Sequence, residues 1–253
     1  MTTTKRPKRP DGYKLGRSDY LPYSVQIECL TSNPLSRVES KYSCLNPFPG
    51  SVLIDACAAP GMKTSQALAN IYPDGKCIAV ERNAKRFKTL NDLLEKHTVV
   101  AADNVNNPNI ETIRGDFLEM NPDDYSNVEY IMVDPTCSGS GLSFSTTIEK
   151  DAERITKLSN LQVMILKHAL KFRGLKKIVY STCSVFEEEN ENVIQEILAE
   201  NSEFKLARAL PAWNRRCAQD KCLKVDPEKD LCTGFFVAVL VKRKKFRQTT
   251  HDI

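Results

Sequence analysis

Short apolar runs recur along the middle of this chain, most of them ending in an acidic residue and separated by stretches of helical periodicity. That alternation leaves few folds open. Val52-Leu53-Ile54 ends in Asp55 and is followed by a turn, Ala58-Ala59-Pro60-Gly61, and a helical stretch from Lys63. Cys77 to Val80 ends in Glu81 and leads into a charged amphipathic helix from Asn83 to about Lys96. Ile110 to Ile113 ends at Gly115-Asp116, and Tyr130 to Val133 runs into Asp134-Pro135. A helix over about Glu149 to Phe172 then precedes Lys177 to Tyr180, which leads to Ser181-Thr182-Cys183-Ser184 and a helix from Glu187 to Ala199. Runs bounded by turns and alternating with helices predict an α/β fold, a doubly wound and mostly parallel sheet. Phe204 to Ala209 and Gly234 to Val241 read as two more strands, paired as an antiparallel hairpin at the sheet edge.

With 253 residues the chain has material for one well-buried domain. Residues 1–50 are basic and proline-rich without sustained periodicity, and read as an irregular arm; 51–243 form the domain, and 244–253 a basic tail. The net charge is only +4, from 36 Lys and Arg against 32 Asp and Glu, so composition alone does not announce a nucleic-acid binder. Positive residues do bunch at both ends, Lys5 to Arg9 and Lys242 to Arg247, where they suit phosphate contacts, nuclear import or simply a solvated tail. No apolar run is long enough for a membrane span or a secretory signal, which predicts an intracellular protein whose nine cysteines stay as thiols. There is no Cys-x-x-Cys, and Cys217, Cys222 and Cys232 lack paired ligand spacing with the three histidines, so no metal site is expected.

In doubly wound sheets ligands sit at the carboxyl ends of the strands. Asp55, Glu81, Asp116, Asp134 and Cys183 all fall there, and five such residues from different strands are hard to explain as helix caps alone. The turn after the first strand lacks Gly-x-Gly-x-x-Gly, so a pyrophosphate cradle is poorly supported. An acid at the end of the second strand can accept both hydroxyls of a ribose. Together these favour S-adenosylmethionine over NAD or ATP. Carbon 5 of cytosine accepts an electrophilic methyl only once a thiolate has added to carbon 6 and broken the ring's aromaticity. Cys137 and Cys183 both follow strands, beside Asp134, where such a thiol is needed.

The residues resemble the Nop/Sun family of RNA cytosine-5 methyltransferases. Asp55-Ala56-Cys57-Ala58-Ala59-Pro60-Gly61-Met62-Lys63-Thr64 looks like its cofactor loop, Asp134 to Gly141 like its Asp-Pro-x-Cys-Ser-Gly-x-Gly loop, and Tyr180 to Ser184 like its Ser-Thr-Cys-Ser segment. Leu210-Pro211-Ala212-Trp213 and Gly234 to Val239 further resemble the subfamily acting on large-subunit ribosomal RNA. The resemblance implies a Rossmann-like, seven-stranded class I methyltransferase sheet, S-adenosylmethionine as cofactor, RNA as partner, action as a monomer without metal or membrane, and a nuclear, nucleolar location. It implies Cys183 as nucleophile, Cys137 as the second cysteine that assists breakdown of the adduct, and Asp134 facing an unstacked cytosine. It gives Cys57, Ala58, Ala59, Pro60, Gly61, Met62 and Lys63 to the methionine portion of the cofactor, Glu81 with Arg86 nearby to its ribose, Asp116 to its adenine, and Asp134 to the cofactor as well as to the target base.

The chain departs from the pattern at Met62, where many members have glycine, and at Glu81, where Asp is commoner. Residues 1–50 scarcely supply the family's N-terminal RNA-binding portion, nor the strand and helix before the cofactor loop. A shortened N-terminal portion would weaken RNA affinity more than cofactor binding. Two other readings stay open: a ribosome-assembly factor that binds RNA without catalysis, and a methyltransferase acting on DNA or a small molecule. DNA cytosine methyltransferases use the Pro-Cys position, so an essential Cys183 disfavours the DNA version. Glu187-Glu188-Glu189 opens a helix, where acids complement the dipole, and reads as structural.

Overall fold

A computed structural model describes residues 44–71, 74–98, 109–142, 150–210, 216–227 and 233–243. Residues 1–43 of the arm, the tail over 244–253 and Pro211-Ala212-Trp213 lie outside them. The strands are β1 Val52–Asp55, β2 Lys76–Val80, β3 Ile110–Ile113, β4 Tyr130–Val133, β5 Lys177–Thr182, β6 Phe204–Ala207, β7 Arg216–Cys217, β8 Cys222–Val225 and β9 Phe235–Lys242. Between them run α1 Met62–Ile71, α2 Ala84–Thr98, α3 Ala152–Ala169, α4 Glu191–Glu200 and the single turn α5 Ala218–Lys221.

The nine strands among the described residues join one sheet in the order β3-β2-β1-β4-β5-β9-β8-β7, with β6 also on β9. The first five are parallel, and β9 runs antiparallel to β5, β6 and β8. The doubly wound α/β architecture and the β6–β9 pairing are as the sequence predicts. Two further strands appear, β7 and β8, too short in sequence to stand out from the connection between β6 and β9. Phe204 to Ala207 lines one half of β9 and Leu223 to Val225 the other half of the same edge.

Strand alternation sorts the core into two layers. One row across the sheet reads Ile78, Ile54, Ile131, Ile178, Leu240 in direct register, each at most 2 % exposed. It packs against Val163, Leu166 and Ala169 of α3 and Val193, Ile194 and Ile197 of α4. On the facing layer, Leu53, Cys77, Tyr130 and Val239 pack in one cluster with Ala67, Leu68 and Ile71 of α1. Each fully buried Ile or Leu contributes roughly 1.5–3 kcal/mol. Among the described residues no helix is long and apolar enough to cross a membrane.

The α3 helix begins later and ends earlier than its periodicity suggests. Asp151 caps it by accepting from the Arg154 N–H at 3.0 Å, and the chain turns away after Leu170. Glu187 to Glu189 forms a separate 3-10 turn, so the following helix starts only at Glu191. His168, in the last turn of α3, is buried edge-on between Phe117 and Phe172, with Nε2 3.0 Å from the Met120 carbonyl.

The loop after β4 reaches the start of β9 through two glycines. The Gly141 N–H donates to the Cys183 carbonyl at 2.9 Å and the Gly234 N–H to the Gly141 carbonyl at 2.8 Å. A Cβ on Gly141 would lie 2.0 Å from the Gly234 carbonyl oxygen.

Two outcomes follow for stability. Gly141→Ala must push two backbones apart and should cost about 1–3 kcal/mol, read as a lower midpoint in chemical denaturation. Burial, then the nearby Lys171 charge, hold the His168 pKa below its ordinary 6.5. As pH falls through 6.5 the unfolded chain takes up a proton that the folded one resists, so stability is lost on acidification. His168→Gln should therefore flatten the fall in melting temperature between about pH 7.5 and pH 5.5; an unchanged slope would show that this ring does not titrate on unfolding.

Candidate active site

Strand register brings the chemistry-bearing residues to one edge. Met132 pairs with Val179 and Val133 with Tyr180, so the next residues, Asp134 just past the end of β4 and Ser181 still within β5, lie side by side. The Ser181 hydroxyl donates to Asp134 Oδ1 at 2.5 Å, while Lys63 at the start of α1 makes an ion pair with Asp134 Oδ2. One carboxylate thus ties together the turn after β1, the end of β4 and the end of β5. Asp55, one strand over, is buried and accepts from the Thr64 hydroxyl at 2.8 Å and the Cys57 N–H at 3.4 Å. Burial raises its pKa, against the pull of the Thr64 hydrogen bond and the Lys63 charge.

The turn between β1 and α1 owes its shape to Gly61, whose φ is +109° and whose Cβ, were there one, would lie 2.9 Å from Leu90 of α2. Ala58 and Ala59 pack with Ala79, Leu90 and Leu94. A cleft opens beside this turn, lined by Cys57, Glu81, Arg86 and Asp116 together with Val80, Phe117, Thr136, Leu161 and Ile165. Glu81 is 4 % exposed; its Oε1 accepts the Asn83 N–H at 2.8 Å, and its Oε2 lies 3.4 Å from Arg86, which donates to the Ala59 carbonyl at 2.7 Å. Asp116 accepts the Leu118 N–H at 3.0 Å and faces Arg82 at 3.5 Å. Four of the expected cofactor residues, Cys57, Glu81, Arg86 and Asp116, therefore share the cleft. Ala58 to Lys63 and Asp134 do not line it: the alanines shape the turn from within, and Lys63 is engaged with Asp134.

Two acids at neighbouring strand ends, an apolar wall and no phosphate cradle suit a nucleoside without a pyrophosphate. The donors and acceptors present thus fit the adenosine of S-adenosylmethionine. Burial, and then the carboxylates of Asp55 and Glu81, push the Cys57 thiol up to about 12, which makes it an unreactive wall of the cleft at neutral pH.

Cys137 and Cys183 lie on adjoining loops. Burial raises the Cys137 pKa and the adjacent Cys183 adds to this, partly offset by hydrogen bonds from the Gly139 and Cys183 backbone N–H groups. Three hydroxyls stitch the loops: Ser138 to Ser140 at 3.1 Å, Ser138 to Ser184 at 3.2 Å and Ser140 to Ser184 at 3.0 Å. Asn190 completes the join by accepting from the Thr182 hydroxyl at 2.5 Å and donating to the Ser184 carbonyl at 2.9 Å.

Sequence reasoning overlooked Ser181, the serine triangle, Asn190, Gln162 and Glu189. Only strand register could have paired Ser181 with Asp134. Nothing in the run Glu187-Glu188-Glu189 marks its last member as different, yet Glu188 pairs with Lys150 near the surface while Glu189 is 0 % exposed.

Residues 42–241 match the family described as 16S rRNA methyltransferase RsmB/F. A 26S rRNA (cytosine-C(5))-methyltransferase from Caenorhabditis elegans, nsun-5, is 43 % identical over 227 residues, 82 % of this chain and 50 % of that protein. A 28S rRNA (cytosine-C(5))-methyltransferase from Mus musculus is 41 % identical over 245 residues, 87 % of this chain and 50 % of that protein. This chain thus spans about half the length of these curated relatives. Among solved structures, a methyltransferase homolog from Pyrococcus horikoshii superposes with a TM-score of 0.64 at 27 % identity, covering 79 % of this chain and 64 % of that one. Fold, strand-end chemistry and sequence agree, and the chain belongs to the RsmB/F, or Nop/Sun, family of rRNA methyltransferases.

Proposed function

We propose that this chain methylates carbon 5 of a cytosine in large-subunit ribosomal RNA, with S-adenosylmethionine as methyl donor, Cys183 as nucleophile and the domain of residues 51–243 as the catalytic unit. The observation that carries this reading is the pair of cysteine loops, stitched together beside a carboxylate that Lys63 and Ser181 hold in place. Relatives named for cytosine-C5 methylation of large-subunit rRNA support the substrate class.

S-adenosylmethionine, bound with its ribose on Glu81 and its adenine by Asp116 in the cleft, would supply an electrophilic methyl group. Everything else falls to the chain's own side chains. The Cys183 thiolate adds to carbon 6 of an unstacked cytosine, and the displaced ring electrons make carbon 5 nucleophilic. Asp134 accepts from the exocyclic amine or the protonated ring nitrogen, so that the adduct's charge distribution is met by a fixed carboxylate. Once carbon 5 carries the methyl, its proton leaves to a base assisted by Cys137. The C–H electron pair re-forms the ring double bond, and the carbon–sulfur pair returns to Cys183. These steps call on neither a metal nor a second copy of the chain. Production of the substrate in the nucleolus makes that the expected location.

Labelled methyl transfer to large-subunit rRNA should occur with the unaltered chain and fall to background in Cys183→Ala, which should also lose covalent RNA capture on denaturing gels. Cys137→Ala should instead accumulate the captured species; equal loss of capture in both variants would reverse the assignment. Glu81→Ala removes a charged acceptor and should weaken S-adenosylmethionine binding about 10- to 100-fold in calorimetric titration. Affinity unchanged in that variant would place the ribose elsewhere.

A further inference from the structure

Beneath the Cys137 loop lies a buried polar group that the proposed reaction leaves unused. Glu189 and Gln162 are each 0 % exposed. Glu189 Oε1 accepts the Ser138 N–H at 2.8 Å and the Gln162 Nε2–H at 3.1 Å, while its Oε2 is buried without a hydrogen-bond partner. The same Gln162 amide nitrogen lies 3.1 Å from the Thr136 carbonyl. The Tyr180 hydroxyl, 3.1 Å from Gln162 Oε1 and 2.5 Å from the Glu189 carbonyl, orients both residues from β5. Thr136 and Ser138 are the residues on either side of Cys137, so the two side chains grip the loop on both flanks of the thiol.

Such an arrangement is a costly way merely to fill space. A buried carboxylate with one oxygen unsatisfied is destabilising relative to an apolar side chain of the same size, and a group of this kind calls for a role. Its hydrogen bonds go to the loop bearing Cys137, on both flanks of that thiol, whereas the Cys183 loop has a further tie of its own from Asn190, which donates to the Ser184 carbonyl.

We propose that Glu189 and Gln162 are positioning residues for Cys137, gripping Thr136 and Ser138 so that this thiol stays beside the Cys183 loop, and thereby governing release of the RNA adduct rather than its formation. The part concerning release rests on the function proposed above; the grip itself does not.

The test uses the whole chain and two readouts. In the first, iodoacetamide alkylation is followed at each cysteine by peptide mass spectrometry. Glu189→Ala and Gln162→Ala should each speed modification of Cys137 about fivefold or more, the effect of losing one hydrogen bond's worth of restraint, with Cys183 little changed. Glu189→Gln keeps an acceptor at Oε1 and should restore the slow rate. An unchanged Cys137 rate in Glu189→Ala, or equal acceleration at both cysteines, overturns the proposal. In the second readout, Glu189→Ala should accumulate covalently captured RNA as Cys137→Ala does; capture lost as in Cys183→Ala would overturn the role in release. Absence of any Cys183-dependent capture by the unaltered chain would instead count against the proposed function, and the alkylation rates would then decide the grip alone.

Discussion

The site depends on the parallel register of β4 against β5. Because Met132 sits opposite Val179, Asp134 and Ser181 emerge side by side, and the two cysteine loops begin from neighbouring points on the same edge. A slip of one residue would turn Ile131 and Ile178 out of the core row they share with Ile54, Ile78 and Leu240. Hydrophobic packing therefore fixes the chemistry's geometry to the nearest residue: the sheet cannot move Asp134 relative to Ser181 without also unpacking both layers of its core.

Much of this was legible in the residues themselves. Apolar runs of the right length announced β1, β2, β4 and β5, and the acids that followed them marked the edge where a ligand would lie. Glu81 and Asp116 do share a cleft. What was not legible depends on contacts distant in sequence. Ser181 reaches Asp134 over 47 positions, and Glu189 reaches Ser138 over 51. Glu189 was read with Glu187 and Glu188 as a helix-start cluster because charge periodicity carries no information about a 3-10 turn that rotates one member inward. The β7–β8 hairpin escaped for a different reason: two and four residues give too few alternations to establish a period.

The four described cysteines of this region have distinct physical environments although all are thiols. Cys57 is walled in beside Asp55 and Glu81, Cys77 is buried in the sheet, Cys137 is held from both flanks, and Cys183 stands at the end of β5 on the join between loops. Residue type alone would rate them equally. Placement at a strand end, and the hydrogen bonds that fix each loop, separate a structural sulfur from one positioned to react.

The triangle of Ser138, Ser140 and Ser184 has an electrical consequence. Each hydroxyl oxygen also receives one backbone N–H, from Ser140, Val185 and Phe186 respectively, at 3.0–3.3 Å. A hydroxyl offers one proton, and Ser138 stands as donor toward both Ser140 and Ser184, while the Ser140–Ser184 contact can run either way. The Ser138 proton can therefore serve only one neighbour at a time, Ser140 on its own loop or Ser184 across the join. Rotation of a single hydroxyl thus re-aims the dipole between the two cysteine loops with no heavy atom moving, while the backbone that carries each sulfur stays where the sheet has put it.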